Sequence, residues 1–370
     1  MADNKENKVL NVPALRFPEF TGEWERHKLS EVCSFYSGGT PSSSKKEYYN
    51  GNIPFIRSGE LHKDYTELFI TEAGLSNSAA KLVETGDLLL ALYGATSGDI
   101  AISKIKGAIN QAILCIRTKQ DKKFIESVWN KHVERLLQTY LQGGQGNLSS
   151  DIVKNIPFYF ANSEEQDKLA KFISLLDERI ATQNKIIEKL ETLIKGIIET
   201  VISLQKPNTF IKDCLECNSS ILQESQVAEY GASPVYGATG ITGYTEAADV
   251  NGESILIIKD GSGVGTVKYV TGEYSYIGTL NRLIAKDGYY LKYIYFALQG
   301  FSFEPYKTGM AIPHIYFKDY GKAKIFCPTI EKQSAIAQKL SSTEDKVSVE
   351  KQILFYYQVQ KSYLLSQMLI

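Results

Sequence analysis

The residue types that carry chemistry are few here, and their spacing fits no catalytic centre. The four histidines, His27, His62, His132 and His314, are scattered, with no pair at metal-ligand spacing. Of the five cysteines, Cys33, Cys115, Cys214, Cys217 and Cys327, only Cys214 and Cys217 form a C-x-x-C. A zinc ribbon needs four ligands, so these read as reduced thiols and the expected metal content is none. Gly261-x-Gly263-x-Gly265-Thr266 suggests a phosphate loop, but no Lys-Ser/Thr follows and VKYV continues as a strand, so the glycines read as a turn. An adenine methyltransferase holds its flipped base with an Asn/Asp-Pro-Pro-aromatic loop, and the ten prolines include no Pro-Pro pair. Asn52-Ile53-Pro54-Phe55 and Asn155-Ile156-Pro157-Phe158 fail at the middle position. No proline precedes an aspartate, as a PD…(D/E)xK nuclease usually requires, and no G-x-S-x-G elbow presents a serine nucleophile.

A recognition surface remains. Thr40, Lys45, Lys46, Tyr48 and Tyr49 accompany a Gly38-Gly39-Thr40-Pro41 turn, and Arg57 and Ser58 follow Pro54. Tyr93, Thr96 and Ser97 lie in a small-residue loop, and Asn110, Gln111, Gln145 and Asn147 add amides. Further along are Tyr236, Thr239, Lys259, Ser262, Lys268, Asn281, Arg282, Lys307, Thr308 and His314. Arg and Lys read guanine edges, Asn and Gln read adenine edges, and hydroxyls with glycine amides hold phosphate. With 41 Lys+Arg against 42 Asp+Glu the net charge is −1, so a wholly basic surface is excluded and a local basic cleft is not. The opening MADNKENKVLN lacks an apolar leader core and no stretch approaches a membrane span, so the expectation is a soluble, cytoplasmic protein with no membrane contact.

The elements that must position these residues are written twice. DIVKNIPFYFANSEEQ and KDYGKAKIFCPTIEKQ each run from a β-like stretch through a polar turn into a long helix, with Gln166 and Gln333 separated by 167 positions. Glu165, Gln166, Glu331 and Gln333 fall where a helix N-terminus favours acids and capping groups. In the first helix Leu169, Ile173, Leu176, Ile180, Gln183, Ile187, Leu190, Ile194, Ile197, Val201 and Leu204 form a heptad seam. The second seam, Ile336, Leu340, Thr343, Val347, Glu350, Leu354, Tyr357, Lys361, Leu364 and Met368, is interrupted by Thr343, Glu350 and Lys361. Each rod of ~40 residues is about 60 Å long. Its seam is buried on the other copy, on its own domain or in an intermolecular coil, and the repeat favours the first. The glycine-broken stretches Gly86–Ser103 and Glu253–Val270 also correspond, with Gly98 and Gly265 again 167 apart. The fold class is α+β: two pseudo-repeated domains separated by two long helices packed as an antiparallel coiled coil. The expected parts are an N-terminal tail (1–23), domain 1 (24–162), spacer helix 1 (163–206), domain 2 (207–330) and spacer helix 2 (331–370).

LRFPEFTGEW (Leu15–Trp24), SGGTPS (Ser37–Ser42), GDLLLALYGATSG (Gly86–Gly98), INQAIL (Ile109–Leu114), VYGATGITGY (Val235–Tyr244) and GMAIPHI (Gly309–Ile315) occur in that order. With the two helix openings, the chain resembles the specificity subunits of type I restriction–modification systems over nearly its whole length. The resemblance implies that both domains are target-recognition domains and that the subunit reads a bipartite, asymmetric double-stranded DNA site without being an enzyme. It implies as partners two methyltransferase (modification) subunits, which use S-adenosylmethionine, and restriction/translocase subunits, which use ATP; those cofactors and Mg belong to the partners. Thr343, Glu350 and Lys361 are then candidates to face the modification subunits. Two rival readings are a scaffold or adaptor binding protein, and a nucleotide hydrolase built on the glycine loops.

Overall fold

The computed structural model describes residues 10–140, 147–309 and 311–370. The chain divides into two compact units, Met1–Thr182 with Leu354–Ile370, and Gln183–Ile353.

Unit 1 is built on two four-stranded sheets. The first has the order Cys33–Ser37, Ile113–Thr118, Leu88–Ala91, Ile100–Ile102, antiparallel throughout. The second has the order Phe69–Ile70, Tyr49–Ile56, Gly107–Ile109, Lys81–Val83, and its central pair is parallel. The run Leu88-Leu89-Leu90-Ala91 is buried throughout because successive side chains of a strand point to opposite faces. Leu88 and Leu90 join a core with Trp24, Phe124 and Trp129, while Leu89 and Ala91 join Ile56, Val83 and Ile109. Helix α1 (Lys122–Tyr140) is capped by Asp121, which accepts from the Phe124 N–H at 2.8 Å. Its Trp129 indole donates to the Gly98 carbonyl at 2.8 Å.

Helix α2 (Ser163–Ile198) opens after Asn162, whose side chain accepts from the Glu165 N–H at 2.9 Å. Glu165 lies in the first turn, where an acid suits a helix N-terminus. It is also 1% exposed, accepts from Nε and one terminal nitrogen of the Arg16 guanidinium (2.7 and 2.6 Å) and accepts from the Trp24 indole at 3.2 Å. Residues 11–23 are therefore not a free tail. Besides Arg16, Leu15 N–H donates to the Gln367 carbonyl at 2.9 Å and Trp24 N–H to the Asn11 carbonyl at 2.8 Å.

Unit 2 repeats the plan. One sheet runs Leu215–Ser219, Leu280–Ala285, Ser254–Ile258, Val267–Val270. The other runs Gly240–Thr245, Ser233–Gly237, Glu273–Tyr276, Val250–Asn251, again with a parallel central pair. Helix α3 (Leu291–Gln299) takes the place of α1. Gly98 and Gly265 close equivalent turns at φ of +89° and +92°. A Cβ on Gly98 would lie 2.9 Å from Val133, and one on Gly265 2.9 Å from Phe303, so both turns demand glycine.

Helix α4 (Ile330–Met368) completes the repeat. In unit 1, Lys361 pairs with Asp177, and Arg179 lies 4.6 Å over the Tyr357 ring. As the α2 number rises the α4 number falls, so the segments are antiparallel. In unit 2, Gln183 Nε2 donates to the Glu350 carbonyl (3.0 Å) and carboxylate (2.5 Å). These residues are repeat equivalents, and contact between equivalents is the mark of self-complementary pairing. Glu350 and Lys361 thus face α2, not an external partner, and the Thr343 hydroxyl donates to the Lys339 carbonyl at 3.0 Å.

The first seam departs from its heptads at the C-terminal end. The helix loosens to i→i+5 bonding over Glu199–Ser203, which shifts the buried face by one residue. Ile198 and Ile202 are buried, whereas Val201 and Leu204 are exposed.

Candidate nucleic-acid interface

In unit 1 the sequence-selected residues form two kinds of local structure. Thr40 Oγ1 donates to Gln111 Oε1 at 2.7 Å, joining the glycine turn to the Asn110-Gln111 turn, where Asn110 accepts from the Ala112 N–H at 3.0 Å. Tyr49 donates to the Pro41 carbonyl at 2.6 Å, and Lys45 donates at 2.9 Å to the hydroxyl of the buried Tyr48. These contacts brace one loop and leave Lys46 exposed at its tip. Ser97 donates to the Leu92 carbonyl at 3.0 Å, shaping the turn that presents Tyr93 and Thr96. Ser58 opens the one-turn helix Ser58–Glu60, Asn147 is exposed, and Gln145 lies outside the described residues.

Arg57 is committed elsewhere. Its guanidinium binds Glu60 at 2.7 Å and Glu67 at 3.0 Å. Burial pushes the Glu60 carboxyl up, but Arg57 and the Thr66 hydroxyl outweigh that and hold it at about 2. Arg117 and Lys122 similarly pair with the buried Asp87, at 3.0 and 3.5 Å.

In unit 2, Lys268 and Arg282 form no ion pair with a carboxylate among the described residues. Lys268 sits 4.5 Å over the Tyr236 ring, and both line a cavity of about 150 Å3 with Thr239 and Thr266. Arg282 donates through Nε to Ser254 Oγ at 2.7 Å, and no carboxylate pairs with its terminal nitrogens among the described residues. It lines a cleft of about 640 Å3 with Asn218, Ser220, Gln223 and Gln226. The neighbouring Asn281 is turned inward, 5% exposed, accepting from Ser219 at 2.8 Å, so its amide shapes the strand rather than the surface.

The glycine turn carries exposed Ser262 and is closed by a polar cluster. His314 Nδ1 lies 2.7 Å from Asp260 Oδ1, Lys259 contacts the other Asp260 oxygen, and the backbones of Thr308 and His314 pair. Burial raises the Asp260 carboxyl, but Lys259 and His314 outweigh it and hold it below the usual range. Lys307 contacts Glu304, and Thr308 is exposed. This is an anchored turn with no nucleotide-loop geometry.

Two groups escaped the sequence reading. The amides Asn218, Gln223 and Gln226 join Arg282, a grouping that only the amide-rich ILQESQ run hints at. In unit 1, Arg26, His132 and Arg135 line a cavity of about 330 Å3 with Tyr140 and Tyr159, with no periodic signal. Among the described residues no three His, Cys, Asp or Glu gather to hold a metal, and Cys214 and Cys217 are free thiols. Among them, too, no helix is long and apolar enough to cross a membrane.

Two equivalent folds, each with its own loop chemistry, have a family counterpart. A model described as the type I restriction modification DNA specificity domain matches residues 21–192 and again residues 208–355. The chain belongs to this family. Each match spans one two-sheet domain and much of the helix that follows it, ending at residue 192 of α2 and residue 355 of α4. The Escherichia coli EcoprrI specificity subunit is 22% identical over 345 residues, 84% of each chain. The MjaVIII and MjaIX specificity subunits of Methanocaldococcus jannaschii are 24% and 27% identical over 54% and 45% of this chain. The matched regions span 46% and 42% of those two relatives, less than half of their length. A crystal structure of the M. genitalium type I restriction–modification S subunit has the same fold, with a TM-score of 0.68 at 18% identity over 97% of this chain and 99% of that one. A second structure, from work on assembly and conformational transition of the type I system, has a TM-score of 0.56 at 14% identity, over 93% of this chain and 97% of that one.

Proposed function

We propose that this chain is the sequence-reading subunit of a type I restriction–modification complex, in which each recognition domain reads one half of a bipartite, asymmetric double-stranded DNA site. The observation that carries this reading is the pairing of one scaffold with two loop chemistries. Strand order and glycine turns are shared, while unit 1 presents Lys46, Tyr93 and amides and unit 2 presents Arg282 and Lys268. Matched frames with unlike contact residues suit two different half-sites.

Catalysis is left to partners: two modification subunits that carry S-adenosylmethionine and methylate adenine, and restriction subunits that translocate and cleave with ATP and Mg. This chain binds none of those cofactors and works in the cytoplasm. Single-molecule methylation mapping of host DNA with and without the gene tests the reading. A bipartite methylated motif that disappears on deletion supports it; an unchanged methylome while the modification subunits are expressed defeats it. The adaptor alternative predicts partner binding with little salt dependence, whereas phosphate contacts give a steep slope.

A further inference from the structure

The two units share a polar latch between recognition domain and spacer helix. In unit 1 the buried Gln166 accepts from the Asp121 N–H at 3.2 Å and donates to the Ala161 carbonyl (2.7 Å) and to Gln120 (2.8 Å). Lys123, two residues after Asp121, reaches Asp177 at 2.8 Å. In unit 2 the buried Gln333 accepts from the Tyr290 N–H at 3.0 Å and donates to the Pro328 carbonyl at 2.8 Å. Lys292, two residues after Tyr290, reaches Glu344 at 3.0 Å. Each acid lies eleven residues beyond its glutamine, close to three helical turns, so both groups fall on one face. The attachment points are about 16 Å apart along the helix.

The latch recurs although the domains have diverged around it. Glu126 beside Lys123 (2.5 Å) is replaced at the corresponding place by Tyr295, whose hydroxyl donates to Glu344 at 3.1 Å. In unit 1, burial raises the Asp177 carboxyl, but Lys123 and Lys361 outweigh it and hold it below its ordinary value. Apolar packing alone is non-directional and tolerates sliding, whereas hydrogen bonds and ion pairs specify distance and direction. Two such points define an angle.

We propose that these latches set the pitch of each recognition domain on its spacer helix, and that they are positioning residues for the number of base pairs accepted between half-sites. The proposal rests on the DNA-reading function above. Gln333→Ala, Lys292→Met and their combination are expressed with the modification subunits, and methylated motifs are mapped by single-molecule sequencing. Both half-site sequences are expected to persist, while selectivity against a gap one base pair longer or shorter falls on the order of tenfold, the factor carried by one charge-assisted contact. Lys292→Arg is expected to restore the wild-type gap. The Lys292 ammonium also lies 4.2 and 4.8 Å over the Tyr269 and Tyr295 rings, so Lys292→Met removes the charge from both contacts while an unbranched side chain of similar length fills the place. A folded double variant with an unchanged gap, or with one half-site lost, overturns the proposal.

Hydrogen exchange at the Tyr290 amide separates the two ideas. If the wild-type chain directs no bipartite methylation, the DNA reading fails by itself. The latch then stands if Gln333→Ala speeds exchange at Tyr290, and falls if protection is unchanged.

Discussion

Arg57 in unit 1 and Arg282 in unit 2 show how one scaffold supports two chemistries. Arg57 is clasped by Glu60 and Glu67, whereas among the described residues Arg282 is held by the neutral Ser254 hydroxyl and by no carboxylate. A guanidinium held by carboxylates is spent on the loop's own shape. One held by a hydroxyl keeps its charge uncompensated and its two terminal nitrogens able to donate. The same contrast holds at the helix openings. Glu165 is buried between Arg16 and Trp24, while its repeat counterpart, Lys332, is exposed. The same residue type therefore serves different roles in the two units, and the neighbour that neutralises it decides which.

The largest expected effect breaks the comparison at Glu165. Glu165→Ala strands Arg16, whose side chain is 13% exposed, and should destabilise unit 1 by about 3–5 kcal/mol. Lys332→Ala should stay within about 0.5 kcal/mol. Urea unfolding of the full-length variants checks both; equal midpoints would erase the distinction.

Next is Arg282→Ala, expected to weaken binding of the assembled complex to DNA carrying the unit 2 half-site by about 1–3 kcal/mol while discrimination at the other half-site survives. Arg57→Ala should leave discrimination at both half-sites intact. Binding assays on sites mutated in one half at a time decide it, and uniform weakening across unrelated DNA would mark Arg282 as a phosphate contact.

A pH series sharpens the assignment of Arg57. The Glu60 carboxyl is held at about 2 against an ordinary 4.5, so its stabilisation is complete above the ordinary value and lost as pH falls toward the lower one. The contribution is about 1–2 kcal/mol, discounted because Arg57 is half exposed. Thermal unfolding between those pH values should show this loss in the wild type and a flatter limb in Arg57→Met.

The smallest effect concerns Lys268. Lys268→Met should lower affinity by less than about 1 kcal/mol and reduce the salt slope by about one, if the ammonium over Tyr236 meets a phosphate. An unchanged slope would limit Lys268 to packing on the ring.

The long-range plan was legible from spacing. A 167-residue echo, a heptad seam and two glycine turns are periodic or conformational signals that survive divergence, and they located both recognition folds and both helices. Local roles were less legible. Asn281 has the right type for reading adenine but points inward, because a strand turns alternate side chains to opposite faces and register decides which. Val201 and Leu204 continue the heptads on paper, yet a single wide turn moves Ile202 into their place.

The sequence by itself thus determined the repeat, the two long helices and the family resemblance. Each is written in intervals along the chain, and intervals need no partner to be read. Only the tertiary structure decided which charges are free. Arg57 and Glu67, Gln333 and Tyr290, and Arg282 and Gln223 are brought together by sheet register and helix packing, and electrostatic partnership depends on separation in space.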